Sequence, residues 1–125
     1  MRANPRVLIV DDHPINRRLP AMLLHARGWA HDQAADGEEA LAKLAASRFD
    51  AVLLDIGLPG LSGQDVCQRI RADADLKDLW VIAYTAHPLS VAELNAAGFN
   101  GILSKPMTPE QLFDALKGAA GRDEP

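Results

Sequence analysis

The chain carries one cysteine, Cys67, so it can form no internal disulfide. No apolar run approaches the ~20 residues that a membrane-spanning helix needs. The opening MRANPR has no long apolar core of the signal-peptide kind. Basic residues are not in excess: 13 Lys and Arg face 17 Asp and Glu, for a net charge of −4. A phosphate backbone is held by clustered Lys and Arg, so nucleic acid is not expected as a direct ligand, and neither is a membrane. His13, His25, His31 and His87 do not fall in an HExxH or similar metal spacing. There is no linker, internal repeat or low-complexity stretch. These absences fit a reducing, cytoplasmic setting.

What is present is the length and patterning of one domain. The 125 residues read as a single unit, 1–125, with a core over about 5–120 and a frayed tail at GRDEP. Hydrophobic residues make up 48%, enough for a core without staples. Residues 6–10 (RVLIV), 50–54 (DAVLL) and 79–83 (LWVIA) are short and rich in β-branched side chains, which predicts buried strands. Residues 29–34 and 99–103 are weaker runs of the same kind. Between them lie helical stripes. Ile15, Leu19, Met22, Leu23 and Ala26 share one face, and Gly28 ends that helix. Leu41 and Leu44 begin a second stripe, Val66, Cys67 and Ile70 a third, and Leu112, Phe113 and Leu116 the last. Thr108 to Gln111 and Ser90 to Glu93 have capping-box form, Asp36 with Glu39 looks similar, and Gly98 ends a helix. Five strands alternating with five helices predict an α/β fold with parallel pairing, right-handed crossovers and helices on both faces.

Ligands in such a sheet bind beyond the carboxyl ends of its strands. Four of the five strands deliver a polar group to that edge. Asp11 and Asp12 follow the first, Asp55 the third, Thr85 the fourth and Lys105 the fifth. Three crowded carboxylates repel one another unless a cation joins them. Hard oxygen donors with room for water suit Mg²⁺, with Mn²⁺ as an alternative. A carboxylate can act as a nucleophile and become an acyl phosphate. Lys105 supplies charge for a phosphoryl oxygen and Thr85 a hydroxyl donor. Each feature alone has a plain reading as a cap, turn or loop; their shared edge and order point to one site.

The runs VLIVDDHPINRRL, VLLDIGLPGLSG, VIAYTAH and GILSKP resemble the response-regulator receiver domains of two-component signalling, over roughly residues 5–120. The resemblance implies a doubly wound, flavodoxin-like sheet of strand order 2-1-3-4-5. It implies that Asp55 accepts phosphate from the phosphohistidine of a sensor histidine kinase or a histidine phosphotransfer protein. It makes Asp12 a direct Mg²⁺ ligand, Asp11 one through water, and the backbone carbonyl of Gly57 a third protein ligand. It casts Thr85 as the switch hydroxyl and Lys105 as the phosphoryl contact, with a cis peptide at Lys105-Pro106. It implies no enzyme beyond self-phosphorylation and slow autodephosphorylation, and a switching face formed by the fourth helix, fifth strand and fifth helix. Such a domain stands alone or belongs to a hybrid kinase or longer regulator.

Three features depart from the family pattern. Ile102 stands where an aromatic switch residue is common. Pro20 lies within the first helix and predicts a kink over Asn16 to Pro20. Gly57 and His87 occupy the positions two after the phosphoacceptor and two after the threonine, which help set phosphate lifetime. Cys67 reads as a buried, inert thiol, Trp29 and Trp80 as packing, and Arg17-Arg18 as a solvated face with kinase contact as the alternative. Two other functions stay open: a scaffold that binds without phosphotransfer, and a phosphohydrolase working through an aspartyl phosphate. The second lacks an acid at Gly57, two residues after the nucleophile.

Overall fold

Strands form where the apolar runs are short, and the three inner ones are buried on both faces because helices cover the sheet twice, while the edge strands are only partly covered. The computed structural model describes residues 5–86 and 89–121, so the expectations for His87 and for the tail beyond Gly121 fall outside the described residues. The elements are β1 (Arg6–Val10), α1 (Pro14–Ala26), β2 (Ala30–Ala34), α2 (Gly37–Ala46), β3 (Ala51–Asp55), α3 (Gly63–Ala72), β4 (Trp80–Thr85), α4 (Val91–Ala97), β5 (Gly101–Ser104) and α5 (Pro109–Gly121). All pairings are parallel, in the order β2-β1-β3-β4-β5. This is the doubly wound α/β sheet expected from the sequence.

Alternate residues of each strand feed opposite layers. Leu8, Val10, Val52, Leu54, Val81 and Ala83 meet Leu44 of α2 and Val66, Cys67 and Ile70 of α3. Val7, Ile9, Leu53, Ile82 and Tyr84 meet Leu24 of α1 and Leu112 and Leu116 of α5. Burial pushes the Cys67 thiol up to about 11, which leaves it a small hydrophobe, as expected. Among the described residues no helix is long and apolar enough to cross a membrane.

The structure moves several element ends, each for a local reason. Trp29 donates its N–H to Leu24 O and so closes α1 rather than opening β2. Asp50 precedes β3 because it is exchanged with Arg6: each N–H is bonded by the other residue. Phe99 donates back to Leu94 O at the end of α4, which delays β5 to Gly101. β3 and β4 continue through Asp55 and Thr85 because the ladder still has partners there, Tyr84 and Ser104. The caps at Asp36, Ser90, Gly98 and Thr108 form as expected. A further capping box, Ser62 with Asp65, starts α3.

The largest correction concerns α1. Ile15, Leu19 and Met22 were expected on the core face, yet they are 74%, 39% and 61% exposed. Ala26 is exposed too, and Leu23 is half-buried. The packed row is Pro20, Ala21 and Leu24. Arg17 stands on that inward row, partly buried, and reaches the end of β1. α1 runs through Pro20 as one element, and the proline has no N–H to give to the Asn16 carbonyl.

Trp80 packs as expected, with its Nε1–H donated to Ala115 O at 2.8 Å. Trp29 stacks edge-on against Phe113. The Trp80 indole lies so close to α5 that a Cβ at Gly118 would come within 2.3 Å of it. Alanine is the better helix former by about 1 kcal/mol, but overpacking of a tethered ring costs about 1–3 kcal/mol. Gly118→Ala is therefore expected to lower the melting temperature by a few degrees in a thermal scan. An unchanged or raised midpoint would mean that the indole gives way freely.

Candidate phosphoacceptor and metal site

The carboxyl edge of the sheet gathers what the sequence scattered over 94 residues. Asp11 follows β1 and is fully buried. Its N–H continues the ladder to Ala34 O at 3.1 Å, and its Oδ1 accepts the His13 N–H at 3.0 Å. Its Oδ2 accepts from Lys105 Nζ at 2.5 Å. The same ammonium lies 3.6 Å from Asp55 Oδ1 and over the Tyr84 ring. Lys105 thus stands between two acids from different strands. Its own backbone N–H is held by Thr85 O at 2.9 Å, just before the cis peptide to Pro106.

Asp55 is buried at the end of β3 and accepts the Gly57 N–H on Oδ1 at 3.1 Å. Gly63, at the start of α3, lets the backbone of Asp55 pass close by: a Cβ there would meet Asp55 O at 2.4 Å. Asp12 is half-buried, with His13 Nε2 3.7 Å from its carboxylate. Thr85 is buried at the end of β4, next to β3 in the sheet. The five side chains singled out from the sequence therefore converge on one edge. Gly57 joins them through its N–H on Asp55.

Electrostatics explains why this edge wants a cation. One oxygen from each of Asp11, Asp12 and Asp55 lies within 4.8 Å of the others. Burial raises the Asp55 carboxyl above its ordinary range, the Gly57 N–H opposes this, and the charges of Asp11 and Asp12 push it further up against Lys105. Burial and the charges of Asp11 and Asp55 also raise Tyr84. Crowded hard oxygens around one ammonium fit a small divalent cation, which would remove the repulsion.

Two neighbours were not read as part of the site. Tyr84 floors Lys105. Arg17 donates to Asp11 O at 2.7 Å and to Gln33 Oε1 at 2.9 Å, so it is not simply a solvated residue. The signal for Arg17 was its spacing with Pro20, Ala21 and Leu24 on one helical row. Ile102 sits in β5 beside Ala83, half-buried against the α3–α4 layer.

Fold and acidic edge together match a known class of signalling module. The response regulator receiver domain model matches residues 7–117. The chain belongs to this family and is a receiver domain of two-component signalling. It is 39% identical over 119 residues to the chemotaxis protein CheY-3 of Vibrio cholerae, spanning 93% of this chain and 92% of that protein. It is 40% identical over 118 residues to the sensor histidine kinase RcsC of Salmonella typhi, where the match spans 93% of this chain but 12% of the kinase. The receiver domain of sensor histidine kinase PA1611 from Pseudomonas aeruginosa, solved with magnesium coordinated in its active-site cleft, aligns with a TM-score of 0.85 at 31% identity. That alignment covers 95% of this chain and 99% of that one. Such domains thus occur both as small regulators and within kinases.

The crowding has a measurable cost. Replacing Asp55 by Asn keeps the acceptor for Gly57 N–H and removes one charge. Asp55→Asn is expected to melt roughly a few degrees above wild type without divalent cation. Millimolar Mg²⁺ should narrow that gap by stabilising the wild type more. A variant that melts below wild type in the absence of metal would contradict the repulsion.

Proposed function

We propose that Asp55 accepts a phosphoryl group from a phosphohistidine of a sensor histidine kinase or histidine phosphotransfer protein, in a Mg²⁺-dependent step. The observation that carries this reading is the convergence of Asp11, Asp12 and Asp55 within 4.8 Å around the Lys105 ammonium. An Asp55 oxygen attacks phosphorus, the P–N bond to the donor imidazole breaks, and the electron pair leaves on that nitrogen. Asp12 and Asp55 would ligate the metal directly, Asp11 through water, and Gly57 through its carbonyl. Mg²⁺, when bound, neutralises charge on the phosphoryl oxygens. Lys105, 3.6 Å from Asp55, is within reach of an oxygen added there, and the Thr85 hydroxyl would complete the cradle. The acyl phosphate then decays slowly by hydrolysis, and at Gly57 no side chain shields it. The phosphorylated state would shift the face of α4, β5 and α5, with Ile102 contributing by packing rather than by a hydroxyl.

The test is intact mass after incubation with Mg²⁺ and acetyl phosphate, beside Asp55→Asn. One added phosphoryl group in wild type alone is the expected result. If no adduct accumulates, Mg²⁺-dependent beryllofluoride binding separates fast hydrolysis from no chemistry. Failure of both would leave the scaffold reading.

For the donor, α1 offers an apolar row that the core does not use: Ile15, Leu19 and Met22, starting three residues after Asp12. Spacing of this kind suits helix-on-helix docking next to the acceptor. Ile15→Glu with Met22→Glu is expected to slow transfer from a phosphohistidine donor at least tenfold more than labelling by acetyl phosphate, since one docked side chain contributes about 1–3 kcal/mol. Equal effects on both donors would remove α1 from the docking face.

A further inference from the structure

We propose that Arg17 is a positioning residue for the divalent-cation site, fixing the peptide that joins Asp11 to Asp12. This rests on the Mg²⁺-dependent reading above. The paired residues of β1 end at Val10, and the ladder reaches past it only through the Asp11 N–H. On one side of Asp11 the N–H is bonded by Ala34 O. On the other, the Asp11 carbonyl accepts Arg17 Nη1–H at 2.7 Å. That carbonyl belongs to the Asp11–Asp12 peptide. Because the peptide is planar, fixing its oxygen also fixes the N–H of Asp12 and the direction in which Asp12 leaves.

The guanidinium is itself braced. Its Nε–H is donated to Gln33 Oε1 at 2.9 Å. Gln33 stands in β2 opposite Ile9, and its carbonyl accepts from Lys43 of α2, which also bonds Asp32 at 3.1 Å. A planar fork suits two bonds set at a fixed angle; an ammonium does not. The link runs from α2 through β2 and α1 to the acids.

Position and charge make opposite demands here. A fixed positive charge beside three acids weakens cation binding by simple repulsion. A brace that holds a ligand-bearing peptide strengthens it, as partners of metal ligands do by about 10–100-fold. The sign of the change on removing Arg17 therefore decides its role.

The experiment is calorimetric titration of Mg²⁺ into wild type, Arg17→Ala, Arg17→Lys, Gln33→Ala and the Arg17→Ala/Gln33→Ala pair, with melts of each metal-free protein. Arg17→Ala is expected to weaken Mg²⁺ binding about tenfold. Arg17→Lys should recover part of the loss. Gln33→Ala should weaken binding less, and add little on top of Arg17→Ala because both act through one link. Unchanged or tighter binding by folded Arg17→Ala overturns the proposal, even if its melting point falls, since packing alone would do that. If Arg17→Ala does not fold, wild-type affinity in Gln33→Ala overturns it. A wild type that takes up no Mg²⁺ removes the underlying reading instead, a result distinct from wild type and variant binding equally.

Discussion

The buried pair of Asp11 and Lys105 is the constraint around which this edge is built. A carboxylate with no exposed surface must have a partner, because an unpaired buried charge costs several kcal/mol. Lys105 provides it at 2.5 Å, from the far end of the sequence. The pair spans β1 and β5, which are not neighbours in the sheet: β3 and β4 lie between them. It can form only if all four strands keep their register at the carboxyl ends. The pairings Asp55 with Tyr84 and Thr85 with Ser104 do that, and they carry the other site residues with them. Fold and site are thus tied by one ion pair.

That dependence explains why so much of the site was legible in the sequence. A parallel sheet puts every strand's carboxyl end on one edge, so polar residues following apolar runs fall together once the strands are identified. Asp11, Asp12, Asp55, Thr85 and Lys105 were readable on this rule alone. The ends of the strands were less readable, since they turn on single backbone bonds: the Trp29 N–H to Leu24, or the Asp50–Arg6 exchange. Periodicity does not register such bonds.

The first helix shows where reading by pattern fails for a physical reason. The rule that the apolar row faces the core assumes that apolar exposure has no use. Here Ile15, Leu19 and Met22 face outward, while a proline, an alanine and an arginine row faces in. Small residues at Pro20 and Ala21 lie against the sheet, and Arg17 spends its length along the same face to reach Asp11. Local pattern and global fold conflict at functional sites more than elsewhere, and α1 departs from its pattern on the two rows for which docking and positioning are proposed above. Neither was visible without the contacts.

The charges at the edge give the last step. Asp11, Asp12 and Asp55 with Lys105 leave a balance of two negatives, and a divalent cation cancels it. In the proposed reaction Asp55 exchanges one negative charge for the two of an acyl phosphate, so the balance is disturbed again by one unit. Lys105 is shared between Asp11 and Asp55, and its backbone is held by the carbonyl of Thr85 at the end of β4. Any shift of Lys105 toward new phosphoryl oxygens therefore acts on β4 and β5 together. It bears on Ile102, three residues before Lys105 and packed into the layer beneath α4. An aliphatic side chain there transmits a change of packing and no hydrogen bond. On the proposed reading, coupling in this chain would depend on how tightly β5 is held rather than on the swing of a ring.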